Sequence, residues 1–382
     1  MRRVLDFQLK KQKIKYMKKI FALINILSVL FFNCYAENSS QLDATYICKK
    51  NVLVITDYVK NDGKTDVSDA IQKVIDNNPN RTIYFPDGIY LLSKPIKTPA
   101  NPQLSVSLEL SNYAILKASE NWSDSEAMVR LGAIHSANNI FLNGSVYGIS
   151  GGIIDCSGKA KAISVDGGRE TYIRNLSIKS TKLGIHIKRG ANSGSSDCDI
   201  ISVNIVGDKS PESIGILVEG YDNTFTNMRI YATSTGVILK SSGNNLRNIH
   251  PLYAYSAQSD YTKGVAFLDE KGSNWYDYCY SDNFATGFVV PNTPNIYKNC
   301  FIFWYTDKGG TQTAFEVAKN GKLNSIISDI RVGFHRKSTN NTFLKAQAGG
   351  KGVVENVIIS ARSKIPENDI VKSYLKGMYI VY

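Results

Sequence analysis

GILVEGYDNTFTNMRIYA (215–232) and GVILKSSGNNLRNIHPLYA (236–254) follow one pattern. Each opens with a short apolar strand around Ile216 or Val237, passes through a Gly-containing polar turn, and continues into a second strand. An asparagine, Asn227 or Asn248, interrupts the middle of that second strand. The pattern extends in both directions. AISVDGGRETYIRNLSIKS (162–180) and GIHIKRGANSGSSDCDIISVNIVG (184–207) precede it, and GFVVPNTPNIYKNCFIFWY (287–305) and AFEVAKNGKLNSIISDIRVGF (314–334) follow. The unit is about 21 to 31 residues long, with the variation confined to connecting loops. A period in this range is the mark of a solenoid, in which each unit buries its apolar face against its neighbours.

Aligned, the units give two inward columns. One is Ile163, Ile185, Ile216, Val237, Val265, Phe288 and Phe315; the other is Leu176, Val203, Met228, Ile249, Cys279, Cys300, Ile330 and Val357. Immediately before the second column stand Asn175, Ser202, Asn227, Asn248, Tyr278, Asn299, Asp329 and Asn356. Asparagine tolerates left-handed backbone, and stacked side-chain amides bond from rung to rung, so a turn with an asparagine ladder is expected here. The predicted class is all-β: a right-handed parallel β-helix. Cys279 and Cys300 read as stacked core residues.

An open solenoid end is an unpaired sheet edge. Near the N-terminus, TDVSDAIQKVIDNN (65–78) places Val67, Ala70, Ile71, Val74 and Ile75 at helical spacing behind Thr65 or Asp66 as N-cap, which predicts a capping α-helix. The first 36 residues read differently: a basic start, an apolar run from Ile20 to Phe32, and Cys34-Tyr35-Ala36 as a cleavage pattern. This predicts a signal peptide over 1–36 and an exported, periplasmic, extracellular or surface protein. Met17 is an alternative start, and Cys34 an alternative lipid-anchored residue. The remainder, 37–382, is one β-helix domain, with a cap over about 52–100, coils over about 101–362 and a tail over 363–382.

The chain holds 45 Lys and Arg against 33 Asp and Glu, a formal +12. Without the leader these become 37 and 32, or +5, so most of the basicity belongs to targeting. That balance suits an acidic partner without requiring one, and with no basic patch it argues against nucleic acid. The apolar run is too short for a comfortable membrane span. Cys48, Cys156, Cys198, Cys279 and Cys300 include no CxxC pair, which excludes a disulfide framework and a zinc site.

DYVKNDGKTDVSDAIQKVI (57–75), followed by TIYFPDGIYLLS (82–93), resembles the opening of the pectate-lyase-like right-handed β-helix superfamily, which includes polygalacturonase-type glycosidases and phage tailspike depolymerases. LELSNYAILKAS (108–119) and GGIIDCSGKA (151–160) extend the resemblance, with Cys156 where polygalacturonases carry glycine. It implies the β-helix and action on polysaccharides. The polygalacturonase catalytic set does not carry over. Its acidic motifs correspond to Ser213-Ile214-Gly215 and Ser234-Thr235-Gly236, and no Gly-His-Gly occurs. Ile185-His186-Ile187-Lys188 matches the family's Arg-Ile-Lys carboxylate clamp only in part.

Outward columns supply the candidate site. One reads Asp166, Lys188, Glu219, Lys240, Leu268. With rungs about 4.8 Å apart, Asp166 and Glu219 have backbones roughly 9.6 Å apart, compatible with the paired carboxylates of an inverting glycosidase. They are the candidate catalytic residues, against the alternative of a surface salt ladder. A second column, Ser177, Asn204, Arg229, His250, Tyr280, Phe301, Arg331, offers groups that hold sugar hydroxyls or carboxylates. His186, Lys188, Lys240, Arg229, His250 and Tyr280 are the expected substrate contacts, with Trp304 as a stacking platform. The loops 207–213 and 253–263 would bring Asp208, Glu212 and Asp260 to the same side. No metal site and no cofactor are expected, calcium being admissible if the chemistry is that of a lyase. The leading expectation is a glycoside hydrolase acting on a polysaccharide or oligosaccharide, acidic or neutral. The alternatives are a lyase on a uronate-containing glycan and a non-catalytic glycan-binding β-helix; a homotrimer is compatible with each.

Overall fold

The computed structural model describes residues 52–132, 147–189, 195–254, 264–305, 312–335, 341–360, 374 and 378–381. The chain divides into two units, Met1–Val52 and Leu53–Tyr382. The expected signal peptide, Cys48 and Asp260 lie outside the described residues. No helix among the described residues is long and apolar enough to cross a membrane.

The second unit is a right-handed parallel β-helix. Among the described residues ten strands form one sheet, here sheet I, and 21 form a second, sheet II. A coil runs through one strand of sheet I, such as Leu183–Ile187, then through a loop into a three-residue strand of sheet II, Asp199–Ile201. It bends and continues in sheet II as Asn204–Gly207 before re-entering sheet I at Ile214–Val218. Every registered pairing in this stretch is parallel: Ile163 with Ile185, Ile185 with Ile216, Ile216 with Val237.

The bend in sheet II is the turn column of the sequence. Asn175, Ser202, Asn227, Asn248, Tyr278, Asn299, Asp329 and Asn356 all have φ between 52° and 59°. One left-handed residue per coil turns the strand by a corner without breaking the ladder, which is why asparagine recurs. Its side chains link rungs only in places: Asn248 Nδ2 donates to Asn227 Oδ1 at 2.8 Å and Asn356 Nδ2 to Asp329 Oδ1 at 3.2 Å.

A second, buried asparagine ladder lies at the entry to sheet II. Asn223, Asn244, Asn274 and Asn295 are each at most 2% exposed. The Oδ1 of each accepts the backbone N–H of its counterpart one coil earlier: Asn223 from Cys198, Asn244 from Asn223, Asn274 from Asn244, Asn295 from Asn274. Ser325 Oγ continues the row by accepting from Asn295. The amides thereby satisfy backbone donors that bend away from both sheets inside the buried core, where an unpaired N–H is costly. Asp269, also buried, takes the spare amide hydrogens of Asn274 and Asn295 and the hydroxyl of Tyr276.

The core column of sheet I passes through Phe267, not Val265. Phe267 pairs with Val237 and Phe288, whereas Val265 pairs with Thr235 and Thr286. The aromatic rungs stack: Phe267 on Phe288 at 4.6 Å and Phe288 on Phe315 at 5.1 Å. Gly184, at the head of its strand, has no room for a side chain, because a Cβ there would lie 2.6 Å from the Gly215 carbonyl oxygen. Cys156, Cys198, Cys279 and Cys300 are free and buried, and burial raises the thiols of Cys156 and Cys198 to about 12. They are unreactive core residues.

The capping helix is present as Ser68–Asn77, with Ile71, Val74 and Ile75 buried. Its N-cap position is Val67 rather than Thr65 or Asp66; Asp66 instead accepts the Ser68 N–H from one residue further out. Gln72 bonds both ways to the backbone of Lys97, which lies on the edge strand of sheet I. The helix therefore pairs with the edge that would otherwise stay open.

Candidate active site

Strand alternation points Arg130, Ser164 and His186 outward from adjacent strands of sheet I, above the buried column Val129, Ile163 and Ile185. Where those strands leave the sheet, the next outward column is Asp166, Lys188, Glu219, Lys240 and Glu270. Their backbone N–H groups bond to Leu131, Val165, Ile187, Val218 and Leu239 in turn. Glu270, not Leu268, is the fifth member; Leu268 pairs with Ile238 in the His186 column.

Asp166 is 0% exposed. Arg130 holds its Oδ2 through Nε and a terminal nitrogen, and Lys188 Nζ lies 3.2 Å from Oδ1. Lys188 also donates to Glu126 Oε2 at 2.6 Å, and Glu126 lies 3.7 Å from Arg130. Two carboxylates and two cations thus close a ring on the sheet face. Such a ring is stable only complete, since each buried charge depends on its partners. The hydrogen bond from Lys188 holds Glu126 below the usual carboxylate range, against the opposing effect of burial. Asp166 was expected to transfer protons. It is fully buried against Arg130 and Lys188 and presents no open face to a ligand.

Glu219 stands one coil further along. His186 Nε2 lies 2.9 Å from its Oε2, with side chains 18% and 33% exposed. Burial lowers the proton affinity of His186, while the bond to Glu219 works in the other direction. The two groups share one hydrogen bond, whose direction depends on the imidazole tautomer. Glu126 and Glu219 are reached by solvent, at 39% and 33%, and Glu270 is exposed further along the same column. Lys240, exposed on the next rung, adds a cation.

The other expected contacts separate from this face. Arg229, His250 and Tyr280 lie in register on sheet II, with His250 and Tyr280 rings stacked at 4.1 Å. Tyr280 OH donates to Asp282 Oδ2 at 3.4 Å, and the same oxygen lies 3.7 Å from His250 Nε2. Burial, reinforced by Asp282, raises the Tyr280 hydroxyl well above its ordinary range. Trp304 is not a platform. It is 1% exposed, stacks on Phe334 and donates Nε1–H to the Phe284 carbonyl. Asp208 accepts from the backbone and hydroxyl of Ser210 within its own loop. Among the described residues no group of three or more His, Cys, Asp or Glu is placed to hold a metal ion.

Glu126 and Arg130 escaped the sequence reading because the repeat alignment began at Ile163. Extending it one coil back through Ala127–Leu131 puts Arg130 in the outward column of His186.

A family profile described as rhamnogalacturonase A/epimerase, pectate lyase-like matches residues 53–266, more than half of the chain. No curated protein sequence matches. Among solved structures, the exopolygalacturonase of Thermotoga maritima superposes with a TM-score of 0.52 at 11% identity, over 82% of this chain and 88% of that one. The tailspike of Escherichia coli bacteriophage HK620 gives 0.59 at 11% identity, over 88% and 64%. The gp49 tailspike of Acinetobacter baumannii bacteriophage Fri1, a capsular polysaccharide depolymerase, gives 0.59 at 12%, over 87% and 63%. The chain spans less than two thirds of either tailspike. At these identities the structural likeness establishes the fold.

Proposed function

Because the chain belongs to the rhamnogalacturonase A/epimerase, pectate lyase-like family, we propose that it is an exported enzyme that hydrolyses glycosidic bonds of an acidic polysaccharide on the outer face of sheet I. The observation that carries this reading is the pair of solvent-reached carboxylates, Glu126 and Glu219, on one face, each held by a fixed cation or imidazole. Hydrolysis needs one carboxyl group to protonate the leaving oxygen and another to assist or replace the attacking water. Glu126, kept ionised by Lys188, suits the second task. Glu219, coupled to a ring nitrogen that shares its proton, suits the first. Lys240, exposed and outside the ion ring, is the cation that a uronate would meet. Export rests on the leader sequence 1–36.

The lyase reading is weaker. It asks Lys188 or Lys240 to act as a base, while Lys188 is bound between Glu126 and Asp166. Incubation with polygalacturonate, alginate and host glycans separates the readings. Release of reducing ends without ultraviolet-absorbing unsaturated product is expected, lost in Glu219→Gln and in Glu126→Gln. Unsaturated product would overturn the hydrolase assignment, and full activity in both variants would overturn the site.

A further inference from the structure

Trp275 is 46% exposed on sheet II, a face that shares no residue with the carboxylate site of sheet I. It is in register with Asn245 before it and with Ile296 after it, and Ile296 with Ile326. Ile296 and Ile326 are 37% and 42% exposed. The strip therefore begins abruptly: Thr224 and Asn245 occupy the same column in the preceding coils, and three large apolar side chains replace them on consecutive rungs. The core does not require this. The inward partners Tyr276 and Tyr297 are fully buried behind the strip and already stacked on each other at 4.7 Å.

Two open clefts flank the indole. One, of about 350 Å³, is lined by Trp275, Arg247, Asp277 and Lys298. The other, of about 470 Å³, is lined by Trp275, Ile296, Ile326 and Lys351. Both fall in the size range of small-ligand sites. Arg247, 70% exposed, keeps a loose contact of 3.6 Å with Asp277, whose other oxygen accepts from Asn299. Three cations against one carboxylate leave the clefts net positive.

We propose that this strip is a second, non-catalytic glycan-binding site. A pyranose ring of a uronate-containing polysaccharide stacks on the Trp275 indole, and its carboxylate meets Arg247 and Lys298. An indole face takes the apolar C–H face of a sugar, and the hydroxyls and carboxylate of the same sugar take the polar rim. Successive rungs about 4.8 Å apart carry the adjoining residue over Ile296 and Ile326. A protein partner fits less well: three side chains fall short of the roughly 1,000 Å² that a specific protein interface needs. The clefts beside the ring also suit substituents of a chain better than a flat surface. The site would keep a polymer on the enzyme while sheet I acts elsewhere on the same chain. The ligand class rests on the carbohydrate reading of sheet I, but the binding itself does not.

The test is electrophoresis of the full chain through native gels containing polygalacturonate, with dextran as the neutral control, in a Glu219→Gln background so that nothing is cleaved. Retardation by polygalacturonate and not by dextran is expected. Trp275→Ala should weaken it at least tenfold, Trp275→Phe should largely retain it, and Arg247→Gln should weaken it. Equal retardation of Trp275→Ala and its parent overturns the proposal, as does absence of retardation by polygalacturonate. Loss of self-association in Trp275→Ala, seen by sedimentation without any glycan effect, would make the strip a protein interface and also overturns it. Circular dichroism checks that the variants fold. Failure here leaves the sheet I chemistry standing. Failure of turnover on sheet I leaves the retardation to be seen.

Discussion

His186 and Glu219 share a hydrogen bond across one rung of sheet I, with 2.9 Å between Nε2 and Oε2, and the pair sits beside an ion ring closed over a fully buried Asp166. The two arrangements differ in what solvent reaches. Glu219 is open to a ligand, whereas Asp166 is spent on its neighbours.

Glu219→Gln keeps the size of the side chain and an acceptor for His186 but removes the transferable proton. Turnover of the polysaccharide should fall about 100-fold to 10,000-fold, the usual contribution of a general acid or base. Thermal stability should change little. Reducing-end assays together with a melting curve check this.

Asp166→Asn should act on folding. It leaves Arg130 and Lys188 facing an uncharged amide in a buried position, and breaking a buried pair costs about 3–5 kcal/mol. Urea unfolding measures it. A variant as stable as the parent yet inactive would return Asp166 to a catalytic role.

His186 predicts a pH dependence of stability. Its folded affinity for protons lies below that of an unfolded imidazole, near 6.5, because burial outweighs the Glu219 bond. Once the pH drops below about 6.5 the unfolded state binds more protons, so stability is full above that value and declines as pH falls through the folded pKa. Glu219, Lys188 and Lys161 face the ring, and the two lysines deepen the effect. Urea midpoints at about pH 7.5 and pH 5 should differ more for the parent than for His186→Gln.

Asn274→Ala removes the acceptor of the Asn244 N–H and a donor to Asp269, both buried. Asp269 keeps Tyr276 and Asn295 as donors, so the cost is that of the unpaired Asn244 N–H, about 1–3 kcal/mol. The measure is the shift in unfolding midpoint against Asn227→Ala, which lies on the exposed turn column.

Tyr278 occupies the left-handed turn position at φ 59°, where its neighbours in the column are mostly asparagine. It is 66% exposed and packs little. Tyr278→Asn should stabilise by about 1 kcal/mol by removing strain, readable as a higher melting temperature.

The repeat was legible because each coil repeats the same demand. A left-handed corner selects asparagine, and a core rung selects an apolar residue. Register was legible only where the loops kept their length. After the long 253–263 connection the inward rung is Phe267 rather than Val265, and the outward rung Glu270 rather than Leu268. A two-residue slip preserves alternation and so leaves no trace in the pattern. The buried ladder of Asn223, Asn244, Asn274 and Asn295 was missed for another reason. Asparagines beside glycines and prolines look like ordinary turn residues, and only burial tells that they face inward. Trp304 faces the core because it lies just past a strand end, where alternation stops predicting direction.

The buried ladder has a consequence for how such a chain varies. Its successive members lie 21, 30 and 21 residues apart, and the bond to Ser325 spans a further 30. All the oxygens face the same way, so each amide needs only a counterpart in the adjacent turn, whatever the length of chain between. The ladder counts turns and ignores residues. Segments can therefore be lengthened at the rim, or whole turns gained and lost, while the interior stays aligned. The shape of the rim, and with it the choice of glycan, is free to change without disturbing the stack.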